Sequence, residues 1–214
     1  MMLSTHMAFG FVSAYGLALL FAIMVPSSHP LIMSATALFA LAGLFGGFVP
    51  DIDRLEYRGI IVHRNTLHYI LGYLVATVIL AVIATIAPQH QVPVLALACL
   101  TLGAWLHSIM DLGDGGRNND LSQVVYEHLI WRKWLPAHGW VPFASPQELI
   151  LQAFAALLFI PISANLSQIV VLATVTLPNW SAGTIAYGVI WAMSAVWDLR
   201  HQVPKRFGKS VATA

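Results

Sequence analysis

Apolar residues form three long stretches that are free of charged side chains. No Asp, Glu, Lys or Arg occurs from Met1 to Pro50, from Asn65 to Met110, or from Leu149 to Trp197. A helix needs about 20 apolar residues to cross the hydrocarbon of a bilayer, so each stretch is long enough for two passes. Proline ends helices and favours turns, and a proline-containing segment divides each stretch. These segments are residues 26–30, 88–91 and 177–180.

This pattern predicts one integral-membrane domain, residues 1–214, of the all-α class. We expect a polytopic transmembrane helical bundle of six helices, with a loop over residues 112–147 and a basic tail over residues 199–214. The predicted helices are residues 7–25, 31–49, 67–87, 93–110, 148–176 and 181–198. Pro161 and Asn165 lie inside the fifth helix, so we expect a kink or a break there.

Basic residues are confined to one face of the predicted bundle. Six passes place both termini and both long loops on the same side, and all 10 Lys and Arg residues then lie on that side. They are Arg54, Arg58, Arg64, Arg117, Arg132, Lys133, Arg200, Lys205, Arg206 and Lys209. Short loops rich in Lys and Arg remain in the cytoplasm. We therefore expect a multi-pass protein of the inner membrane with both termini in the cytoplasm.

The composition agrees with the lipid bilayer as the main partner. The chain is 58% hydrophobic and 9% charged, whereas a soluble domain carries about 25% charged residues. The formal net charge of +1 gives no reason to expect a nucleic-acid partner. Cys99 is the single cysteine, so a disulfide framework is excluded.

Histidines and carboxylates gather at the predicted cytoplasmic ends of the first four helices. The set comprises His6, Asp51, Asp53, His63, His68, His107 and Asp111. His107 and Asp111 are four residues apart and share a helix face. Imidazole and carboxylate suit zinc, manganese or iron, whereas a thiolate site needs cysteines that the chain lacks. The set predicts a divalent metal, zinc before manganese or iron, with one or two ions. It exceeds the ligands of one tetrahedral ion, so either two ions share the site or some residues orient the ligands or act as a base.

Four short motifs carry these residues. They are Thr5-His6, Pro50-Asp51-Ile52-Asp53, His63-Arg64 followed by His68, and His107-x-x-x-Asp111. The series resembles that of the YdjM-like inner-membrane metal-dependent hydrolases over roughly residues 5–145. The resemblance implies a metal-dependent hydrolase and fixes no substrate. The family pattern usually reads His-Arg-x-x-Thr-His, whereas here Leu67 precedes His68 and the threonine is Thr66.

Three functions are compatible with such a site. The first is hydrolysis of a phosphoester or another ester, including a lipid, at the cytoplasmic headgroup layer, with Asp53 and Arg64 as catalytic residues. A guanidinium fork matches phosphate oxygens, although arginines in this loop also set topology and meet anionic headgroups. The alternatives are a non-enzymatic metal carrier and a membrane scaffold with a structural metal. The predicted helix centres carry almost no ionisable groups, which argues against transport.

The loop over residues 112–147 has the composition of an interfacial segment. Tryptophans alternate with basic residues there, as is typical of chain that lies at headgroup level. The residues are Trp131, Trp134 and Trp140, with Arg132, Lys133 and His138. We expect the segment to anchor the loop or to cover the site as a lid. Glu127 and His128 are candidates for an additional acid or base.

Glycines in the second predicted helix favour close packing. Gly43 and Gly47 form a G-x-x-x-G pattern, and Gly46 lies between them. Small residues at this spacing let two helix backbones approach closely in a membrane, so we expect a tight helix contact at this point.

Overall fold

The computed structural model describes residues 3–55, 66–113, 125–136, 138–141, 145–166 and 196, and this part of the chain is mostly helical. The α-helices are α1 (Leu3–Met24), α2 (His29–Ser34), α3 (Thr36–Gly46), α4 (Ile70–Ile86), α5 (Gln91–Leu112) and α6 (Pro146–Leu166). Short 3-10 helices cover Pro26–Ser28, Val49–Leu55 and Pro88–His90. Strands β1 (Val125–Glu127) and β2 (Lys133–Leu135) pair as an antiparallel hairpin, a small departure from the expected all-α class.

Three of the described helical runs are long and apolar enough to cross a membrane. They are Leu3–Met24, Thr36–Asp53 and Pro88–Leu112, and α4 is a shorter apolar helix. These lengths and compositions indicate a membrane protein. The sixth predicted helix, 181–198, lies outside the described residues except for the single helical residue Val196. The end of the fifth, 167–176, also lies outside them.

The helices pack so that the polar helix ends meet. Helix α1 packs on α3, α5 and α6, and α4 packs on α5. The turns at Pro26–Ser28 and Pro88–His90 reverse the chain at one end of these helices. The other end, which we call the site end, brings together His6, Asp51, His68, His107 and Asp111. These five of the predicted polar residues therefore lie together at one end of the described helices.

The prediction of one continuous second helix over residues 31–49 is wrong. The chain leaves the α-helical conformation at Ala35, which separates α2 from α3. The hydroxyls of Ser34 and Thr36 donate to the carbonyls of Leu31 and Met33, at 2.8 and 3.0 Å. Such side-chain bonds offer the backbone an alternative to helical pairing. After Gly46 the chain tightens into the 3-10 helix Val49–Leu55, which carries two of the predicted ligands.

The first, third and fourth predicted helices agree with α1, α4 and α5 to within a few residues. Helix α6 begins at Pro146 and continues through Pro161 to Leu166. The described residues therefore show no break at Pro161. Helix α5 extends to Leu112, so that both His107 and Asp111 lie within it.

Glycines bring three helix backbones into direct contact. A Cβ added at Gly43 of α3 would collide with the Gly10 carbonyl oxygen and the Ala14 Cβ of α1. A Cβ added at Gly103 of α5 would collide with the Gly43 carbonyl oxygen. Lipid gives no hydrophobic drive for helices to associate, so such close van der Waals contact is a main source of their affinity. The predicted tight packing at Gly43, Gly46 and Gly47 is confirmed.

A methyl group at this contact should destabilise the protein. We expect Gly43→Ala to cost at least the ~1–3 kcal/mol typical of an overpacked core, because the atoms in the way include backbone. Gly16→Ala is the matched control, since a Cβ at Gly16 meets nothing within 4 Å. Thermal denaturation in detergent, followed by size-exclusion chromatography, measures the difference. Equal midpoints for the two variants would contradict the assigned helix contact.

Candidate metal centre

The structure describes six of the predicted site residues, and all of them are buried at the site end. None of these side chains is more than 3% exposed. His6 comes from the first turn of α1, Asp51 and Asp53 from the 3-10 helix after α3, and His68 from the segment before α4; His107 and Asp111 come from α5. His63 and Arg64 lie outside the described residues. The polar residues that the sequence placed on four helix ends are thus neighbours in space.

The tautomer of His107 is fixed by a backbone carbonyl directly after α3. Its Nδ1 lies 2.7 Å from the carbonyl oxygen of Gly47. A carbonyl oxygen only accepts, so Nδ1 carries the proton and donates it. In the neutral ring Nε2 then presents its lone pair to Asp51 Oδ1 at 3.6 Å and to Asp111 Oδ2 at 3.7 Å. These separations are too long for hydrogen bonds, but tetrahedral ligands about 2.1 Å from one ion are about 3.4 Å apart.

Asp111 lies between three imidazoles. Its Oδ1 is 3.2 Å from Nε2 of His6, and its Oδ2 is 3.2 Å from Nε2 of His68. The rings of His6 and His107 stack with centroids 3.9 Å apart, and His68 meets His107 edge-on at 5.2 Å. The two oxygens of the Asp111 carboxylate therefore contact different imidazoles.

His68 lies between two carboxylates. Its Nδ1 is 3.0 Å from Asp53 Oδ2, while its Nε2 faces Asp111. Asp53 also accepts the backbone N–H of Leu67 at 3.3 Å. Burial alone would lower the pKa of His68, but hydrogen bonding to Asp111 and Asp53 raises it to about 9. The surroundings of this ring therefore favour a positive charge, carried by a proton or by a metal ion.

Two histidines present buried nitrogens that no described residue satisfies. Among the described residues, Nδ1 and Nε2 of His6 and Nε2 of His107 make no hydrogen bond. Buried polar atoms normally have a partner, and an imidazole nitrogen that binds a metal needs none from the protein. Two overlapping groups, His6–His107–Asp111 and Asp51–His68–His107, offer ligand atoms within 4.8 Å of one another. The cluster could therefore hold a metal ion.

No family model, curated protein or solved structure matches the chain. The resemblance to the YdjM-like hydrolases therefore stays a prediction that rests on the four short motifs. The buried cluster is independent of that resemblance, because its distances come from this chain alone.

A second buried polar cluster adjoins the first, and sequence reasoning missed it. Glu148, in the first turn of α6, is fully buried and accepts the hydroxyl of Thr5 at 2.8 Å. Gln152 donates to Ser4 at 3.0 Å and to Thr5 at 2.9 Å. These bonds fasten the first turn of α1, which carries His6, to α6. The sequence feature that could have drawn attention to Glu148 is the helix-capping pattern Ser145-Pro146-Gln147-Glu148.

The predicted additional acid or base pair lies in the hairpin. Glu127 accepts backbone N–H groups of the residues that follow it. The ring of His128 lies against Tyr69 and Tyr126, with centroids 4.3 and 4.8 Å apart. The described contacts of Glu127 therefore order the hairpin, and a catalytic role for either residue stays a prediction.

Removing one imidazole from the cluster should remove the metal. We expect His107→Ala and His68→Ala to retain a small fraction of the wild-type metal content, because each loses a ligand and leaves its carboxylate neighbours without that partner. The matched control is His90→Ala, whose imidazole is exposed at the opposite end of the helices. Elemental analysis of purified protein gives the metal content. Wild-type content in both cluster variants would refute a metal centre here.

Proposed function

We propose that the protein is a membrane-embedded, metal-dependent hydrolase that acts on a phosphoester or another ester at the cytoplasmic face of the membrane. One observation supports the proposal most. The buried Nε2 atoms of His6 and His107 face carboxylates, yet neither nitrogen makes a hydrogen bond to a described residue. The mixed imidazole and carboxylate donor set is typical of hydrolytic zinc sites and also suits manganese or iron. The sharing of Asp111 between His6 and His68 is compatible with one ion or two.

The proposed ligands form two overlapping groups that share His107. Asp51 and His68 complete one group, and His6 and Asp111 complete the other. A divalent ion there would lower the pKa of water toward neutrality and polarise an ester oxygen.

Asp53 has a different proposed role. It contacts the outer nitrogen of His68, so it would hold the Nδ1 proton and keep Nε2 directed at the ion. Carboxylates in this position orient metal-binding histidines and raise their basicity. The sequence-based assignment of Asp53 as a ligand is thus replaced, in this proposal, by an orienting role.

The proposed phosphoester preference rests on arginines that lie near the cluster residues in the sequence. Arg58 and Arg64 lie in residues 56–65, outside the described part of the chain. Their place in the sequence, between Asp53 and His68, connects them to two residues of the cluster. A guanidinium there would supply the fork that binds phosphate oxygens.

A structural metal site is the second candidate, and the burial of the cluster favours it. All six described residues are at most 3% exposed, whereas a catalytic site keeps a coordination position open to substrate. A scaffold of this kind would lose its folded stability with its metal and hydrolyse nothing. A carrier would instead release and rebind the ion without loss of the fold.

Variants of Arg64 distinguish a hydrolytic site from a structural metal site. In a screen of phosphoesters and lipids in nanodiscs, we expect zinc- or manganese-loaded protein to be active and chelated protein to be inactive. Arg64→Ala should keep the metal and lose most activity, and Arg64→Lys should recover only part, because lysine keeps the charge without the planar fork. Full activity of Arg64→Ala would refute the anion-binding role. Loss of the fold on chelation, without turnover in the wild type, would favour the scaffold.

Reporter fusions test the cytoplasmic assignment of the site end. A fusion after Val92 should report the outside, and a fusion after Arg117 should report the cytoplasm, because the basic residues retain their loops inside. Alkaline phosphatase and green fluorescent protein fusions give opposite readouts and control for expression. A cytoplasmic signal after Val92 would place the site end on the other face of the membrane.

A further inference from the structure

The hairpin between α5 and α6 ends in an apolar tip. Leu129, Ile130 and Trp131 join the two strands, and they are 52%, 71% and 53% exposed. Arg132 and Lys133 follow directly and are also exposed. Large apolar side chains that are adjacent and exposed mark a contact with a membrane or a partner. The tip therefore has an apolar end and a basic margin.

The backbone N–H groups of this tip are satisfied from within the hairpin. Glu127 accepts the N–H of Leu129 on Oε1 at 2.9 Å, and those of Ile130 and Trp131 on Oε2 at 2.9 and 2.7 Å. The hydroxyl of Tyr126 donates to the carbonyl of Arg132 at 2.8 Å. Burial alone would raise the pKa of Glu127, but these N–H donors hold it below its usual range. The carboxylate is therefore ionised and a strong acceptor.

These hydrogen bonds are worth more in an apolar phase than in water. Water would pair with the amide groups of an exposed loop, so in water each bond adds only a small net stabilisation. In lipid an unpaired N–H has no partner, and irregular backbone enters only where its polar groups are already bonded. Glu127, whose side chain is 1% exposed, supplies a buried acceptor for the tip.

The tip lies beside the start of an exposed apolar surface of α4. The base of the hairpin packs through Val125 and Leu135 on residues of α4 and α5 at the site end. The Cδ1 of Leu129 lies 4.0 Å from the position of a Cβ at Gly72, near the beginning of α4. The exposed apolar stripe of α4 begins within one turn of that contact. Its members are Val75, Val78, Ile79 and Val82.

We propose that Leu129, Ile130 and Trp131 insert into the bilayer interface beside α4, with Arg132 and Lys133 at anionic headgroups. The apolar tip continues the lipid-facing stripe of α4, which argues for lipid as its occupant. The adjacent basic pair complements an anionic membrane surface. The hairpin would thereby be held against the membrane at the end of the helices that carries the metal cluster.

Site-specific fluorescence quenching tests this insertion in the full-length protein. Cys99 is buried, so an environment-sensitive dye will react at a cysteine introduced by Ile130→Cys. Val78→Cys is the lipid-facing control, and Gln89→Cys, in the exposed turn at the opposite end, is the water-facing control. The proteins are reconstituted into vesicles of phosphatidylcholine and phosphatidylglycerol. Quenching is compared between a lipid with a nitroxide high on its acyl chain and iodide in the water.

We expect the label at position 130 to resemble that at position 78, with iodide quenching several-fold weaker than at position 89. Iodide quenching equal to that at position 89 would overturn the proposal. Protection from both quenchers would overturn it too, because it would show that protein, such as a second copy of the chain, covers the tip.

A second variant tests the role of the carboxylate. Glu127→Gln loses an acceptor oxygen and places an amide donor against the tip N–H groups. We expect it to raise iodide quenching at position 130 several-fold, while the buried-glutamate control Glu148→Gln leaves that quenching unchanged. An unchanged label in Glu127→Gln would overturn the role of Glu127. The wild-type comparison stands even if this variant fails to fold.

Discussion

The contact of three helix backbones at Gly10, Gly43 and Gly103 sets the geometry of everything at the site end. Side chains larger than hydrogen at these positions would hold α1, α3 and α5 apart. The ligands lie one turn further along the same faces: His6 is four residues from Gly10, and His107 is four residues from Gly103. Close backbones therefore become close imidazoles, which stack at 3.9 Å. The Gly47 carbonyl completes the connection, since it fixes the tautomer of His107.

This dependence explains what the sequence could predict. The charge gaps and the prolines locate the reversals, so the meeting of polar helix ends follows from hydropathy alone. The sequence also indicates which helix faces pack together. On two helices, small residues and proposed ligands recur every four residues and therefore lie on one face. These residues are His6, Gly10, Ala14 and Ala18 on α1, and Cys99, Gly103, His107 and Asp111 on α5. Hydrophobic periodicity hides them, since α1 is apolar all round.

The different contacts of Asp51 and Asp53 could not be predicted from the sequence. In an extended segment, residues two apart point the same way, and both carboxylates would face one ion. In the 3-10 helix that forms after Gly46, residues two apart are about 240° apart around the axis. Asp51 thus reaches His107, and Asp53 reaches the outer nitrogen of His68. Glu148 was missed for a related reason: an acidic residue in a first helical turn is usually solvated, and only the packing of α6 on α1 buries it.

His6 helps to distinguish a hydrolytic metal site from a structural one. The two overlapping groups, His6–His107–Asp111 and Asp51–His68–His107, each offer three ligands, whereas structural zinc sites usually have four. The Nε2 of His6 lies 3.2 Å from Asp111, but its buried Nδ1 has no hydrogen bond among the described residues, and a buried nitrogen without a partner costs stability. In a hydrolytic site this imidazole has a use, as a ligand that expands the coordination or as a base for the attacking water. Thr5 donates a hydrogen bond to Glu148 and accepts one from Gln152, and these bonds hold in place the turn that carries His6. A fold that holds a costly imidazole in a group of three protein ligands favours the proposed hydrolysis over a purely structural ion.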